Sequence, residues 1–109
     1  MNRGLFFALM LLIGSAEAGV VTGFVEKMII GREGHQVFIH IKDAPQTCGQ
    51  DHNLGFNYAF SLRDHGAGKE MLSAFMAAQV ANKQVTIQGT GHCTVDAKME
   101  DVSYLYLRN

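Results

Sequence analysis

Two cysteines, Cys48 and Cys93, are the entire thiol complement of this 109-residue chain, and its first eighteen residues decide what chemistry is open to them. Arg3 and the free amino group precede an unbroken apolar run from Leu5 to Ile13, which gives way to Gly14, Ser15, Ala16, Glu17 and Ala18. A basic start, a short apolar stretch and a small-x-small exit form a secretory signal peptide over residues 1–18, with cleavage expected after Ala18 and, as the alternative, after Ala16. The run falls well short of the roughly 20 apolar residues that cross a bilayer, so no membrane insertion is expected. Export to the periplasm or beyond places the chain in an oxidising compartment, where two lone cysteines pair. One Cys48–Cys93 disulfide is the expectation.

The mature chain, residues 19–109, is a single domain. A domain of about 90 residues buries only about 60–65% of the surface its unfolded chain exposes, so its stability is modest and a staple matters. Closing a loop of about 45 residues is worth roughly 4 kcal/mol on the chain-entropy account. Charge says little about partners: over all 109 residues lysine plus arginine number 9 and aspartate plus glutamate 10, without a long run of one sign. Such a surface lacks the basic footprint that nucleic acid selects, and no nucleic-acid partner is expected.

Along the mature chain, Val20 to Ile30 is rich in β-branched and aromatic residues, with Gly23 interrupting it, and Gly31-Arg32-Glu33-Gly34 reads as a hairpin turn. His35 to Ile41 alternates, with Val37, Ile39 and Ile41 on one face and Gln36, Phe38, His40 and Lys42 on the other. Residues 43–55 are polar and turn-rich, with Cys48 in their midst. Phe56 to Leu62 alternates again and is the cleanest strand signal. Lys69 to Asn82 then changes period: Met71, Leu72, Phe75, Met76, Ala78 and Val80 recur at helical steps and make a wide apolar stripe. Gln84 to Gly89 and Asp101 to Arg108 supply the last two strands. Both faces of the final strand carry apolar or aromatic groups, so one must cover the core and the other meet the helix or a neighbouring subunit.

Three strands, a helix and two strands in one small domain are the layout of a mainly β, five-stranded, OB-like partly open barrel. An open antiparallel sheet with the helix on one face is the competing arrangement. Closure reduces exposed edges, and Gly23 offers the long first strand a place to bend.

The segment from Gly68-Lys69-Glu70-Met71 through Ala77-Ala78 to Lys83-Gln84-Val85, then Gly89-Thr90-Gly91-His92-Cys93 and the terminal Val102-Ser103-Tyr104, resembles a family of small exported bacterial proteins. Some members are similar to the cell-binding B subunits of AB5 toxins of the subtilase-cytotoxin and pertussis-like type. The resemblance implies an OB-like fold with the same bridge, a ring-forming homo-oligomer, recognition of sialylated cell-surface glycans and a catalytic A subunit as partner.

The residues themselves give no catalytic constellation. Cys48, His52, His92 and Cys93 have the wrong spacing for one zinc ion, and export favours the disulfide over thiolate ligands. His35, His40 and His65 lack a positioned nucleophile or base, although Asp64 stands beside His65 and Asp51 beside His52. Gly66-x-Gly68 and Gly89-x-Gly91 lack the strand–loop–helix context of a phosphate cradle and read as turns. What remains is binding material: Phe38 and His40, with the polar set Gln46, Thr47, Gln50, Asp51 and Asn53, as an aromatic platform edged by hydrogen-bonding groups. The expectation is a non-enzymatic exported binding domain without a cofactor, a glycan-binding toxin-B-like subunit. Its alternative is a periplasmic or secreted structural or protein-interaction protein without a toxin partner.

Overall fold

The computed structural model describes residues 19–49 and 55–108; the leader assigned to residues 1–18 and the candidate ligand residues Gln50, Asp51 and Asn53 lie outside them. The described chain forms β1 (Val20–Arg32), β2 (Gln36–Ile41), β3 (Tyr58–Ser61), α1 (Gly68–Ala81), β4 (Gln84–Gly89) and β5 (Glu100–Leu107).

β1 is long enough to serve two neighbours. Its first half, Val20 to Phe24, pairs antiparallel with β4, and its second half, Val25 to Arg32, pairs antiparallel with β2. The exchange happens at Gly23 and Val25. A β-carbon on Gly23 would stand 2.7 Å from the Ile41 side chain, so only glycine lets β1 pass that close. A bulge between Val25 and Lys27 adds to the bend. The hairpin then turns at Glu33 and Gly34, both at positive φ, with the Gly34 N–H donating to the Gly31 carbonyl at 2.8 Å.

The pairings run β1-β2-β3-β5-β4 and back to β1. This is the OB-like, partly open barrel expected of the element order, and its weak seam is β3 with β5. Those two strands are parallel and share only Tyr58–Glu100 and Ala59–Asp101.

Inside, Val25, Val37, Ile39, Ile41, Tyr58, Phe60, Val85, Ile87 and Val102 form the main core with Met71, Phe75 and Ala78 of α1. The helix docks through Gly68, Met71, Phe75 and Ala78, steps of three and four that lie on one face. Phe75 lies near-parallel to Phe60 with ring centroids 5.7 Å apart. The apolar stripe is narrower than its sequence suggests, because Met76 and Val80 point to solvent. Gly68 sits against β3 so closely that a β-carbon would meet the Ser61 carbonyl oxygen at 2.8 Å. At the other end Asn82 takes the left-handed conformation and the Lys83 N–H returns to the Ala78 carbonyl at 2.9 Å, closing the helix.

A second, smaller core lies on the other side of the wall: Phe38, Phe56, Ala59 and Met99. Arg32 covers Phe38 at 5.6 Å from the ring centre, and Lys27 covers Phe56 at 5.1 Å. Phe38, expected on an outer face, is therefore wholly enclosed. The loops that carry Cys48 and Cys93 are joined by their disulfide, with α-carbons 6.2 Å apart. The bridge fastens the entry of β3 to the exit of β4, so the strand–helix–strand unit between them is tied at both ends.

Candidate functional site

The four described residues of the expected ligand set are all committed to internal partners. Phe38 packs in the small core. His40 Nδ1 lies 2.8 Å from Glu26 Oε1 across the β1–β2 pair. Gln46 donates through Nε2 to the carbonyls of Phe56, at 3.2 Å, and of Lys98, holding the disulfide loop to the β4–β5 loop. Thr47 donates through its hydroxyl to Glu100 Oε1 at 2.9 Å. Nothing gathers these side chains into one open surface, and Gln50, Asp51 and Asn53 lie outside the described residues.

A concave site forms instead at the seam. Beyond the pairing of Ala59 with Asp101, β3 and β5 part, and a cleft of about 460 Å³ opens between them. Ala59, Phe60 and Val102 lie buried behind it, Val95 is the more open apolar residue at its border, and Ser61, Asp64, His65, Thr90, Thr94, Asp101 and Ser103 add polar groups. His65 spans the gap. Its Nδ1 accepts from the Ala67 N–H at 2.9 Å, which leaves the proton on Nε2 to be donated to the Ser103 carbonyl at 2.9 Å. The imidazole thus substitutes for the ladder bond that the parting strands no longer make. It also serves the amino end of α1, whose cap residue Ala67 has no side-chain oxygen to offer.

The two cleft carboxylates are similarly employed. Asp64 is held below the usual carboxylate range by its hydrogen bond from Arg63, 3.1 Å away, with a further contribution from Ser61. Asp101 accepts from the Thr94 and Val95 N–H groups at 2.9 and 3.1 Å and from the Thr94 hydroxyl at 2.5 Å, shaping the loop that walls the cleft. The Ser61 oxygen accepts from the Arg63 and Asp64 N–H groups, at 3.2 and 2.9 Å. Ser61 thus serves as a turn acceptor, and the neighbouring His65 is hydrogen-bonded at both ring nitrogens. Among the described residues no three His, Cys, Asp or Glu side chains converge as metal ligands.

A second surface lies on the outer face of β5. Tyr104 and Tyr106 are 55% and 52% exposed, and Val20 at the start of β1 is 64% exposed. The register sets Tyr104 beside Gln88, with Val20 on the far side of Gln88, and Tyr106 beside Thr86, with Thr22 beyond it and the two threonine hydroxyls 2.8 Å apart. Two exposed rings on β5 therefore border an amide on β4 and a threonine pair that joins β4 to β1. The sequence marks both faces of β5 as apolar, but the neighbours that give this row its character come from β4 and β1.

Comparison of the chain with protein-family models, with curated proteins and with solved structures finds no match in any of the three.

Proposed function

We propose that this chain is an exported, non-enzymatic binding domain that recognises a hydroxyl-rich ligand, a cell-surface glycan. The observation that carries it is the seam cleft, a hollow bordered by hydroxyl, carboxylate and imidazole groups with Val95 beside them, a hydrogen-bonding rim that suits a polyhydroxylated ligand. The disulfide and the signal-like leader support a periplasmic or extracellular setting, and no described helix is long and apolar enough to cross a membrane. The resemblance of residues 68–105 to toxin B subunits adds a homo-oligomer and a catalytic A subunit as proposed partners.

The test is a glycan array on the purified mature protein together with its mass in solution. Binding to a defined set of glycans that is lost in Asp101→Asn or Thr94→Val supports the cleft reading, and a monomer with no glycan signal overturns it. The row of Tyr104, Tyr106 and Val20 favours a second reading, an interaction protein that uses this face on another protein chain. A concentration-dependent mass that falls to the monomer in Tyr104→Ser/Tyr106→Ser, without any glycan binding, would select it.

A further inference from the structure

Glu100 is the most deeply buried charged side chain among the described residues, 1% exposed at the start of β5. Three groups serve its carboxylate: the Thr47 hydroxyl at 2.9 Å from Oε1, and the Gly91 and Gly19 backbone nitrogens at 2.9 and 3.2 Å from Oε2. Space is reserved for it. A β-carbon on Gly89 would lie 2.0 Å from Oε2 and 2.4 Å from Cδ, so the strand beside it has to carry glycine there. The two ion pairs among the described residues are Glu26–His40 and Arg63–Asp64, and Glu100 belongs to neither. Its charge reaches the core: the Tyr58 hydroxyl is pushed up to about 12 by burial and then by Glu100. Among the described residues this buried carboxylate is served by neutral donors, and such donors do not supply the counter-charge that offsets its desolvation.

Gly19 is the residue that follows the expected cleavage point. It is fixed from its other side as well, since its carbonyl accepts from the Gly89 N–H at 2.8 Å. We propose that Glu100 is the docking site for the α-ammonium group that removal of the leader after Ala18 creates on Gly19. Water adds across the Ala18–Gly19 amide, its hydroxyl going to the Ala18 carbonyl carbon and a hydrogen to the Gly19 nitrogen. The new Ala18 carboxylic acid releases its proton and the amine takes one up. The atom that faces Glu100 thereby changes from a neutral amide nitrogen with one N–H to a cation with three. Processing supplies the missing counter-ion in place, and the mature barrel becomes more stable than the same residues with a leader attached.

The inference rests on the export reading, and the experiment separates the two. The full chain is expressed in an exporting bacterial host and the intact mass of the released protein is measured. A start at Gly19 is expected. Release with a start at Glu17 overturns the docking proposal and leaves export standing, whereas an uncleaved chain retained in the cytoplasm overturns both. The released protein is then acetylated on its α-amine and unfolded in urea. Acetylation should raise the unfolding equilibrium constant about 10- to 100-fold, the worth of a hydrogen-bonded charge pair, and should change it by less than about twofold in Glu100→Gln. Equal effects in both backgrounds overturn the proposal. Should Glu100→Gln fail to fold, the rate of α-amine acetylation decides: native protein that reacts at least about tenfold more slowly than urea-unfolded protein supports the docked ammonium, and equal rates overturn it.

Discussion

Exchanging Gly89 for alanine takes a flexible residue out of a strand, a change that by itself favours the folded chain by about 0.5–1 kcal/mol. In this barrel it is expected to do the opposite. The added carbon would stand 2.0 Å from Glu100 Oε2 and 2.4 Å from Cδ, so the carboxylate must leave its place. In leaving it gives up hydrogen bonds from Thr47, Gly91 and Gly19. At about 1.5 kcal/mol for each bond to a charged acceptor, the low end of the usual range, the loss is about 4.5 kcal/mol, and the alanine advantage brings the net destabilisation to about 3.5–4 kcal/mol. Urea unfolding followed by far-ultraviolet circular dichroism, with the disulfide intact, measures it as a fall in midpoint at unchanged slope. The same substitution in Glu100→Ala meets no carboxylate and should be neutral or stabilising by up to about 1 kcal/mol. Gly89→Ala as stable as the parent, or equally destabilising with and without Glu100, would refute the reasoning.

Cys48→Ser removes a cross-link between residues 45 apart in sequence and should cost about 4 kcal/mol in urea unfolding, with Cys93→Ser equivalent. Stability should also decline in alkali: the Tyr58 hydroxyl ionises near 10 in the unfolded chain and near 12 in the barrel, so the folded state holds the proton that the unfolded state releases. The contribution is complete below pH 10 and is lost on the way to pH 12; it amounts to at most about 2.7 kcal/mol, trimmed by solvent screening to roughly 1–2, and Tyr58→Phe should flatten that part of a urea–pH series. His65→Ala loses the bond to the Ser103 carbonyl and the acceptor for the Ala67 N–H, for about 1–2 kcal/mol. Hydrogen exchange of the α1 amino end should rise first, and unchanged exchange there would remove His65 from its role at the helix start.

The local signals carried the elements well. Alternation identified Val37, Ile39 and Ile41 as core residues, and the change to helical steps placed α1 within a residue of its observed ends. Alternation states which residues share a face, however, and leaves open whether the opposite face is covered. Phe38 shows the consequence, for Phe56, Ala59 and Met99 enclose it from beyond β2, and Met99 lies 61 positions away in sequence. The stripe on α1 looked wide for a related reason, since only the row that meets Phe60 and its neighbours is buried.

Composition and order alone raised the expectation of a secretory-type leader and determined a pair of cysteines with no other partner and a strand–helix succession suited to a small barrel. These follow from short-range periodicity and from counting. Tertiary structure decided the rest, because it depends on residues far apart in sequence arriving together. The β1–β4 and β3–β5 pairings close the ring, and the brevity of the second one opens the cleft that His65 spans. Gly89 and Gly91, which read as turn residues, make room for and donate to a buried carboxylate. Glu100 itself looked like the end of a polar loop. Only closure of the barrel brings Thr47, Gly91 and Gly19 around it, and so ties the start of β1 to a carboxylate 81 positions away in sequence.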